Sequence, residues 1–351
     1  MSNYLKLFET TNEYTQYIEQ GSPLLPNVSY TEDALKVYYN PIPHDYSKDY
    51  FTIVVTEGGN IVFDMNNAQG LSISKDNGET WEEVGNEGID VSEGDTILVK
   101  CMLSDGYEED YYNFIRTSES FKAKIQGNIM SLLVSDDFMN ATVIENSYLS
   151  GLFKNSEWLI EAQNLVLPAT TLAENCYNDM FVNCTSLVTA PVLPATTLAE
   201  GCYASMFRGC SNLVTAPVLP VTTLAENCYY CMFYGCISLV TAPELPATTL
   251  ADNCYESMFN GCSNLVYAPK VLPATTLAKY CYYNMFSGCT SLNYVKAMFT
   301  TVISQYNSYT SEWLNNVSTT GTFVGNAEAS WLDDVIRTTS TVPEGWTIEK
   351  E

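Results

Sequence analysis

One segment of the chain, residues 167–294, consists of five near-copies of a single unit. The copies begin at Leu167, Leu193, Leu219, Leu245 and Leu272, so the spacing is 26 residues at three steps and 27 at the last. A fixed period in this range is typical of proteins built from small stacked units. Because such a unit cannot enclose a core alone, each copy must bury its apolar side chains against its neighbours.

Each copy combines a helical spacing with a strand spacing. In the first copy Cys176, Met180, Phe181 and Cys184 fall at i, i+4, i+5 and i+8, which places them on one face of a short helix. The segment 187–192 that follows has the L-x-x-L-x-L spacing of a leucine-rich repeat strand, with Ala and Val in its later positions. The pattern predicts a solenoid with one short strand and one short helix per repeat.

The columns shared by the five copies resemble a known repeat family. Their order, L-P, T-L, C, M-F, G-C and S-L-V, is similar to the leucine-rich repeat of bacterial surface antigens of the BspA-like type. The resemblance covers about half of the chain and implies a scaffold of strand-and-helix units. It does not by itself imply an activity, because repeats of one fold carry many functions.

Ten of the twelve cysteines occupy two columns of the repeats. Two cysteines of one copy, such as Cys176 and Cys184, would lie about 12 Å apart along a helix, whereas a disulfide needs Cα atoms within about 7 Å. Pairing between neighbouring copies would leave an odd cysteine in each column of five. We therefore expect buried, reduced thiols that pack as small apolar groups, with Cys231 in a variable surface column.

The chain as a whole is predicted to be a mixed α/β multidomain protein. Residues 1–48 form an N-terminal docking arm, and residues 49–135 form a small antiparallel β-sandwich. Residues 136–300 form the leucine-rich repeat solenoid with an N-terminal cap repeat, and residues 301–351 form a C-terminal cap. The N-terminal cap is a degenerate copy in which Leu152 and Phe153 replace Met180 and Phe181.

The first 48 residues carry the features of a separate arm. Thr10 and Glu13 form a capping box at the start of a short helical pattern. The segment LPNVSYTEDALKVYYNP, residues 25–41, is similar to the N-terminal segment of proteins from tailed phages that infect Bacteroidales, including crAss-like phages. The resemblance implies docking to other virion proteins. An ordinary N-terminal subdomain that packs on the next domain is the alternative.

The segment from Asp49 to Val134 contains five short runs of β-branched and aromatic residues, separated by turn residues. One turn, Ser74–Trp81, fits the pattern S-x-D-x-G-x-T-W and resembles the Asp-box of sialidases and other propeller proteins. In those proteins the box is a hairpin turn without catalytic residues. A sialidase would also need several boxes and an arginine cluster for the substrate carboxylate, so we expect a structural turn here.

The charge of the chain excludes some partners. The formal net charge is −26, and the arginines are limited to Arg116, Arg208 and Arg337. Nucleic acid and anionic membrane surfaces attract Lys and Arg and are repelled by such a field. We expect no nucleic-acid partner and no membrane partner, and we interpret the acidity as a means to remain soluble in a dense assembly.

Targeting signals and catalytic motifs are not evident. The first nine residues lack the basic start and apolar run of a signal peptide, and no segment approaches the roughly 18 apolar residues of a membrane helix. His44, the single histidine, lies in a proline-rich linker. The acidic segment 105–110 lacks the ligand spacing of known Ca²⁺ loops, so a solvated turn is favoured. We predict no catalytic residue, no cofactor and no metal site.

Candidate binding residues come from a comparison of the copies. A tyrosine column beside the variable positions offers rings that could stack on sugars or anchor a protein. The simpler interpretation, which we favour, is that each ring only covers the seam between neighbouring helices. The candidate residues are Tyr177, Tyr203, Tyr229, Tyr255 and Tyr282 in the column, with Asp179, Tyr230, Glu256 and Tyr283 among the variable positions.

These observations predict a non-enzymatic bacteriophage virion protein, namely a head fibre, a capsid decoration protein or a tail fibre. The repeats would attach to a host-surface glycan or protein, and a homo-oligomer is expected. The protein would be assembled in the host cytoplasm and released by lysis. A bacterial leucine-rich repeat surface adhesin is the alternative, and a cryptic glycan hydrolase is a third hypothesis.

Overall fold

The computed structural model describes residues 5–7, 36–38, 44–64, 68–103, 114–301, 308–333, 337–338 and 341–351. The chain divides into two units, Met1–Tyr46 and Ser47–Glu351. The first contains an antiparallel pair of strands, β1 (Leu5–Leu7) and β2 (Lys36–Tyr38). The predicted capping box at Thr10, all of the docking segment except 36–38 and the acidic segment 105–110 lie outside the described residues.

The second unit is mostly β-structure. Its α-helix α1 (Ser131–Val134) is the single α-helix of the described residues, and 3-10 helices span Tyr46–Lys48, Ser135–Asn140 and Ser330–Leu332. Its strands are β3 (Phe51–Glu57), β4 (Gly59–Phe63), β5 (Ala68–Ser74), β6 (Glu82–Glu83), β7 (Ile89–Val91), β8 (Thr96–Leu103), β9 (Ile115–Thr117), β10 (Lys122–Asn128), β11 (Leu159–Val166), β12 (Tyr294–Ala297), β13 (Gly321–Gly325) and β14 (Trp346–Lys350). No helix of the described residues is both long and apolar enough to cross a bilayer.

Two sheets precede the repeats and share one hydrophobic core. The larger has the order β11-β10-β3-β8-β5-β6, and the smaller has the order β7-β4-β9. Phe51, Ile53 and Val55 of β3 are buried at alternate positions, as the period of two in a strand requires. Strand β11 joins β10 in parallel, whereas the other pairs of both sheets are antiparallel. The larger sheet is therefore mixed rather than purely antiparallel.

The predicted fold class is wrong. No helix lies between residues 167 and 294, so the repeats do not contain one helix each, and a leucine-rich repeat solenoid of strand-and-helix units is not the fold. The predicted repeat strand is reduced to single parallel bridges between copies, such as Thr189 with Thr215 and Thr241 with Tyr267. The remainder of each copy consists of turns and irregular chain. The mixed α/β class must be replaced by a fold of β-sheets and stacked turns.

The backbone hydrogen bonds of the predicted helix explain the error. The amides of Asn175, Tyr177, Asp179, Phe181 and Asn183 donate to carbonyls of the next copy at 2.7–3.0 Å. The amides between them donate to the carbonyl three residues earlier within the same copy. An α-helix needs each amide to bond the carbonyl four residues earlier. Five of these nine amides instead join neighbouring copies, and the segment becomes a chain of four-residue turns.

A left-handed residue at every fourth position prevents the helix. Asn175, Asp179 and Asn183 have φ values of 52°, 56° and 57°, far from the value near −63° of a right-handed helix. The corresponding residues of the later copies are also left-handed. The first column continues as Gly201, Asn227, Asn253 and Tyr280, the second as Ser205, Cys231, Ser257 and Asn284, and the third as Gly209, Gly235, Gly261 and Gly288.

Stacked aromatic rings connect the sheets to the repeats. Phe51 of β3 stacks on Phe153 of the cap copy at 5.7 Å between ring centroids, and Phe153 stacks on Phe181 at 5.5 Å. The column continues through one phenylalanine of each copy as far as Phe286, with centroids 5.4–5.8 Å apart. The residues predicted as a β-sandwich and as repeats therefore share a continuous core.

Both ends of the stack are covered by chain that repeats its hydrogen-bond pattern. At the start, the amides of Gly151 and Phe153 donate to the first regular copy at 2.8 and 2.9 Å. At the other end, the amide of Phe286 donates to the carbonyl of Trp313 at 2.9 Å. Strands β12, β13 and β14 then form a parallel sheet. The neighbouring chain thus satisfies backbone groups that an open end would expose.

The Asp-box motif forms the turn between β5 and β6. Asp76 accepts hydrogen bonds from the Ser74 hydroxyl at 2.7 Å and from the Thr80 amide at 2.9 Å. Gly78 has a φ of 90°, and the Trp81 ring packs against Tyr50 at 4.8 Å between centroids. The motif therefore has the structural role that the sequence predicts for it.

The left-handed column gives a first testable prediction, at Asn227, where φ is 53°. Replacement by Val should lower the free energy of unfolding by about 1–3 kcal/mol, because a β-branched side chain is strained at positive φ. Asn227→Gly is the matched control and should change it much less, since glycine adopts this conformation freely. Thermal melts followed by circular dichroism measure the difference. Equal stability of the two variants would contradict the argument.

The Asp-box turn gives a second prediction, on pH dependence. Hydrogen bonds from Thr80 and Ser74 lower the pKa of Asp76 from 3.8 to about 2. A lowered pKa stabilises the fold above pH 3.8, and this contribution is lost as the pH falls from 3.8 through 2. Asp76→Ala should therefore lower the melting temperature at pH 7, and its difference from the wild type should shrink toward pH 2. Glu79→Ala, in the same turn, is the control; a deficit that persists at pH 2 would contradict the prediction.

Candidate functional site

The five tyrosines proposed as a binding column lie inside the protein. Their side chains are 0–2% exposed, and neighbouring rings stack with centroids 5.7–6.1 Å apart. Burial raises the pKa of each phenol above its ordinary value. These rings form a core column parallel to the phenylalanine column and cannot touch a ligand. The correction applies to Tyr177, Tyr203, Tyr229, Tyr255 and Tyr282.

The cysteine columns are also part of the core. All twelve cysteines are free and buried. Within the second column the thiols of Cys184, Cys210, Cys236, Cys262 and Cys289 donate hydrogen bonds to a phenylalanine carbonyl of the preceding copy at 3.0–3.1 Å. The expectation of reduced, buried thiols is confirmed. The prediction that Cys231 lies in a surface column is wrong, because only 5% of the residue is exposed.

The other candidate residues lie on the outside of the turns, at unequal depth. Tyr230, Glu256 and Tyr283 occupy equivalent positions of successive copies, and Tyr230 is the most open of them at 36% exposure. Asp179 is half-buried at a left-handed position of the neighbouring column. Its carboxylate forms an ion pair with the Lys154 ammonium, with Nζ and Oδ2 3.0 Å apart. Asp179 is therefore engaged with the cap copy, whereas much of the Tyr230 side chain is open to solvent.

Tyr230 belongs to a small patch that we call the outer patch, formed by Arg208, Tyr230, Tyr234 and Glu256. The guanidinium of Arg208 lies 5.2 Å from the centre of the Tyr234 ring. The neighbouring Cys231 sulfur and burial raise the pKa of Tyr230 to about 12, and burial also raises the pKa of Glu256. Tyr230 thus stays a neutral hydrogen-bond donor at physiological pH. The patch combines two exposed rings with one cation, which are residue types enriched at protein interfaces.

A second surface was not among the predicted sites. A groove of about 590 Å³ lies on the face that carries the Val-Thr-Ala-Pro segments, near the end of the repeats. Its prominent side chains are Tyr267 and Tyr294, which are 63% and 43% exposed. We call it the tyrosine groove; Thr241, Glu244, Val266, Pro269, Lys270 and Asn293 also line it.

The tyrosine groove is concave, largely apolar and edged by polar groups. Glu244 and Lys270 form an exposed ion pair at 3.5 Å on its border, and the Lys270 amide donates to the Glu244 carboxylate at 3.1 Å. Such an exposed pair contributes at most about 1 kcal/mol to stability. Its groups can therefore be redirected to a ligand at little cost. The groove has the size and composition usual for small-molecule sites.

The sequence contained a signal for this groove. Thr189, Thr215 and Thr241 occupy one column of the first three copies, and tyrosine replaces them at 267 and 294. The Val-Thr-x-Pro segments of the first three copies are uniform, and the change from threonine to tyrosine occurs only in the last two copies. A further groove of about 350 Å³ lies on the same face between the first two copies, and it is lined by Val192, Val218 and other small residues without an aromatic ring.

Metal coordination finds no support in the geometry of the described residues. They contain no group of three or more His, Cys, Asp or Glu side chains arranged to hold a metal ion.

Comparison with known proteins adds no assignment. The sequence matches no family model, and neither a curated protein nor a solved structure matches the chain. The outer patch and the tyrosine groove are thus defined by the structure of this chain alone.

The thiol columns give a third prediction. Burial raises the pKa of Cys210 and Cys262 to about 12, and only the thiolate reacts rapidly with an aromatic disulfide reagent. At pH 8 the native protein should release less than one equivalent of chromophore within minutes, and the unfolded protein should release all twelve. Cys231→Ser is the control and should release eleven after unfolding. Rapid reaction of several native thiols, or fewer than twelve after unfolding, would refute the buried, reduced columns.

Proposed function

We propose that the chain is a non-enzymatic structural protein of a tailed-bacteriophage particle, such as a head fibre, a capsid decoration protein or a tail fibre. In this proposal residues 1–48 bind other virion proteins, and the repeat stack contacts a glycan or protein on the host surface. The protein acts as a homo-oligomer, is assembled in the host cytoplasm and leaves the cell by lysis. Neither a nucleic acid nor a membrane is a partner.

The observation that carries the proposal is the contrast between the inside and the outside of the repeats. The inward columns keep Cys, Tyr, Met, Phe and Cys in every copy. The next column holds Asn178, Ala204, Tyr230, Glu256 and Tyr283; no two neighbours are alike, and all but the buried Ala204 are at least partly exposed. Packing constrains the inner columns, because each ring must match the ring above and below it. A constant core with a varied surface suits recognition of a partner.

The amino-terminal residues supply the link to a particle. Their resemblance to the docking segments of phage proteins supports attachment through residues 1–48, and the chain separates there into the units Met1–Tyr46 and Ser47–Glu351. A net charge of −26 favours solubility at the high local concentration of an assembled particle.

Two other functions remain as alternatives with different consequences. A bacterial surface adhesin would use the same outer patch, and its chain would be found on the cell surface in the absence of phage. A cryptic glycan hydrolase would turn over host polysaccharide. The outer patch favours adhesion over hydrolysis, because its contacts are a cation over a ring and a neutral phenol rather than a pair of facing carboxylates.

The location of the chain is the fourth prediction. Mass spectrometry of gradient-purified phage particles should recover its peptides together with those of the capsid and tail proteins. Immunogold labelling with antibodies against residues 167–294 should then mark the outside of intact particles. Matched preparations of uninfected cell envelopes are the control. Recovery from the envelopes and not from particles would contradict the proposal and favour the adhesin.

A further inference from the structure

The tyrosine groove is separate from the outer patch and has a different chemistry. The outer patch lies on the chain of turns, whereas Tyr267 lies in a parallel bridge with Thr241 and Tyr294 begins β12, on another face. The two rings are at equivalent positions of adjacent copies, and both line one groove. In the core, the stacked rings of adjacent copies have centroids 5.4–6.1 Å apart.

Exposure distinguishes these two tyrosines from those of the core. The five core tyrosines are at most 2% exposed, whereas Tyr267 and Tyr294 are 63% and 43% exposed. Folding leaves much of these ring faces in water, although burial of an aromatic side chain is among the largest apolar contributions to stability. Neighbouring exposed rings of this kind mark a site of interaction with another molecule.

The polar groups of the groove limit what the ligand can be. The rings share the groove with one hydroxyl, one amide and two charged groups, which belong to Thr241, Asn293, Glu244 and Lys270. The groove therefore offers both hydrogen-bond donors and hydrogen-bond acceptors. A ligand that matches this arrangement has flat C–H faces for the rings and hydroxyl groups around its rim. A sugar ring has both features, whereas a purely apolar peptide would leave the polar groups unpaired.

The charge of the protein selects among glycans. With a net charge of −26, the protein repels polymers that carry uronate, sulfate or phosphate groups. The groove itself does not offset this field, because the charges of Lys270 and Glu244 in its lining cancel. A neutral glycan experiences no such repulsion.

We propose that the tyrosine groove binds a neutral glycan, with successive sugar rings lying on Tyr267 and Tyr294 and with Glu244, Lys270 and Asn293 bonded to their hydroxyl groups. This inference deepens the proposed function and rests on it, because it names the class of host-surface molecule that the repeats contact.

The fifth prediction tests the groove with the purified full-length chain. It is applied to an array of neutral fungal, plant and bacterial glycans, together with alginate and sulfated glycans as acidic probes. Affinity electrophoresis in gels that contain the best neutral polysaccharide then measures the dissociation constant. We expect binding to neutral glycans, at least tenfold weaker binding for Tyr267→Ala/Tyr294→Ala, and binding within about threefold of the wild type for Tyr267→Phe/Tyr294→Phe.

The matched control is Val192→Ala/Val218→Ala, which trims two exposed apolar side chains in the smaller groove on the same face and should leave glycan binding unchanged. Melting temperatures verify that all variants are folded. The inference is overturned by binding to none of the neutral glycans, by a preference for the acidic probes, or by an equal loss in the Val192→Ala/Val218→Ala control. These results differ from a failure of the proposed function, in which the chain is absent from particles while the purified protein still binds the glycan through the groove.

Discussion

The structure depends on hydrogen bonds that run between copies rather than within them. In the turn segment of the first copy, five amides donate to the next copy, and the intervening amides close turns of their own. At about 1 kcal/mol net for each bond, the five together are comparable with the stability of a small domain. Because each bond needs its partner at one register, the copies can stack in a single way. The left-handed residues at every fourth position make this geometry possible.

The fixed register explains why the interior is organised in columns. Each phenylalanine, tyrosine and cysteine lies above its counterpart, and the cysteine thiols of one column bond the carbonyl of the preceding phenylalanine. A substitution in one copy therefore disturbs the packing of both neighbours. The outward positions have no such constraint. This difference allows Tyr230, Arg208 and Tyr234 to form an outer patch and Tyr267 and Tyr294 to form a groove on an otherwise uniform scaffold.

Sequence reasoning recovered the period, the copies, the buried thiols and the Asp-box turn, because each depends on local pattern. The prediction of one helix in each copy was wrong. A chain of four-residue turns buries residues at i, i+4 and i+8, and over nine residues this spacing cannot be distinguished from the 3.6-residue period of a helix. The Asn and Gly columns at 175 and 183 were the available signal, since these residues adopt positive φ most readily. The sequence also left open whether the tyrosine column is exposed or buried. Its exposure depends on the direction in which the backbone turns, which the spacing does not determine.

By itself the sequence determined that residues 167–294 are repeated units that must stack, and that their apolar and cysteine columns must face inward. It also determined the acidic surface, which disfavours polyanionic partners. Only the tertiary structure decided that the units are turns rather than helices, that Phe51 connects the β-sheets to the repeat core, and that Tyr267 and Tyr294 share one groove. The physical reason is that these features depend on bonds between residues 25 or more positions apart, and a periodic sequence is compatible with more than one such pairing until the backbone conformation is known.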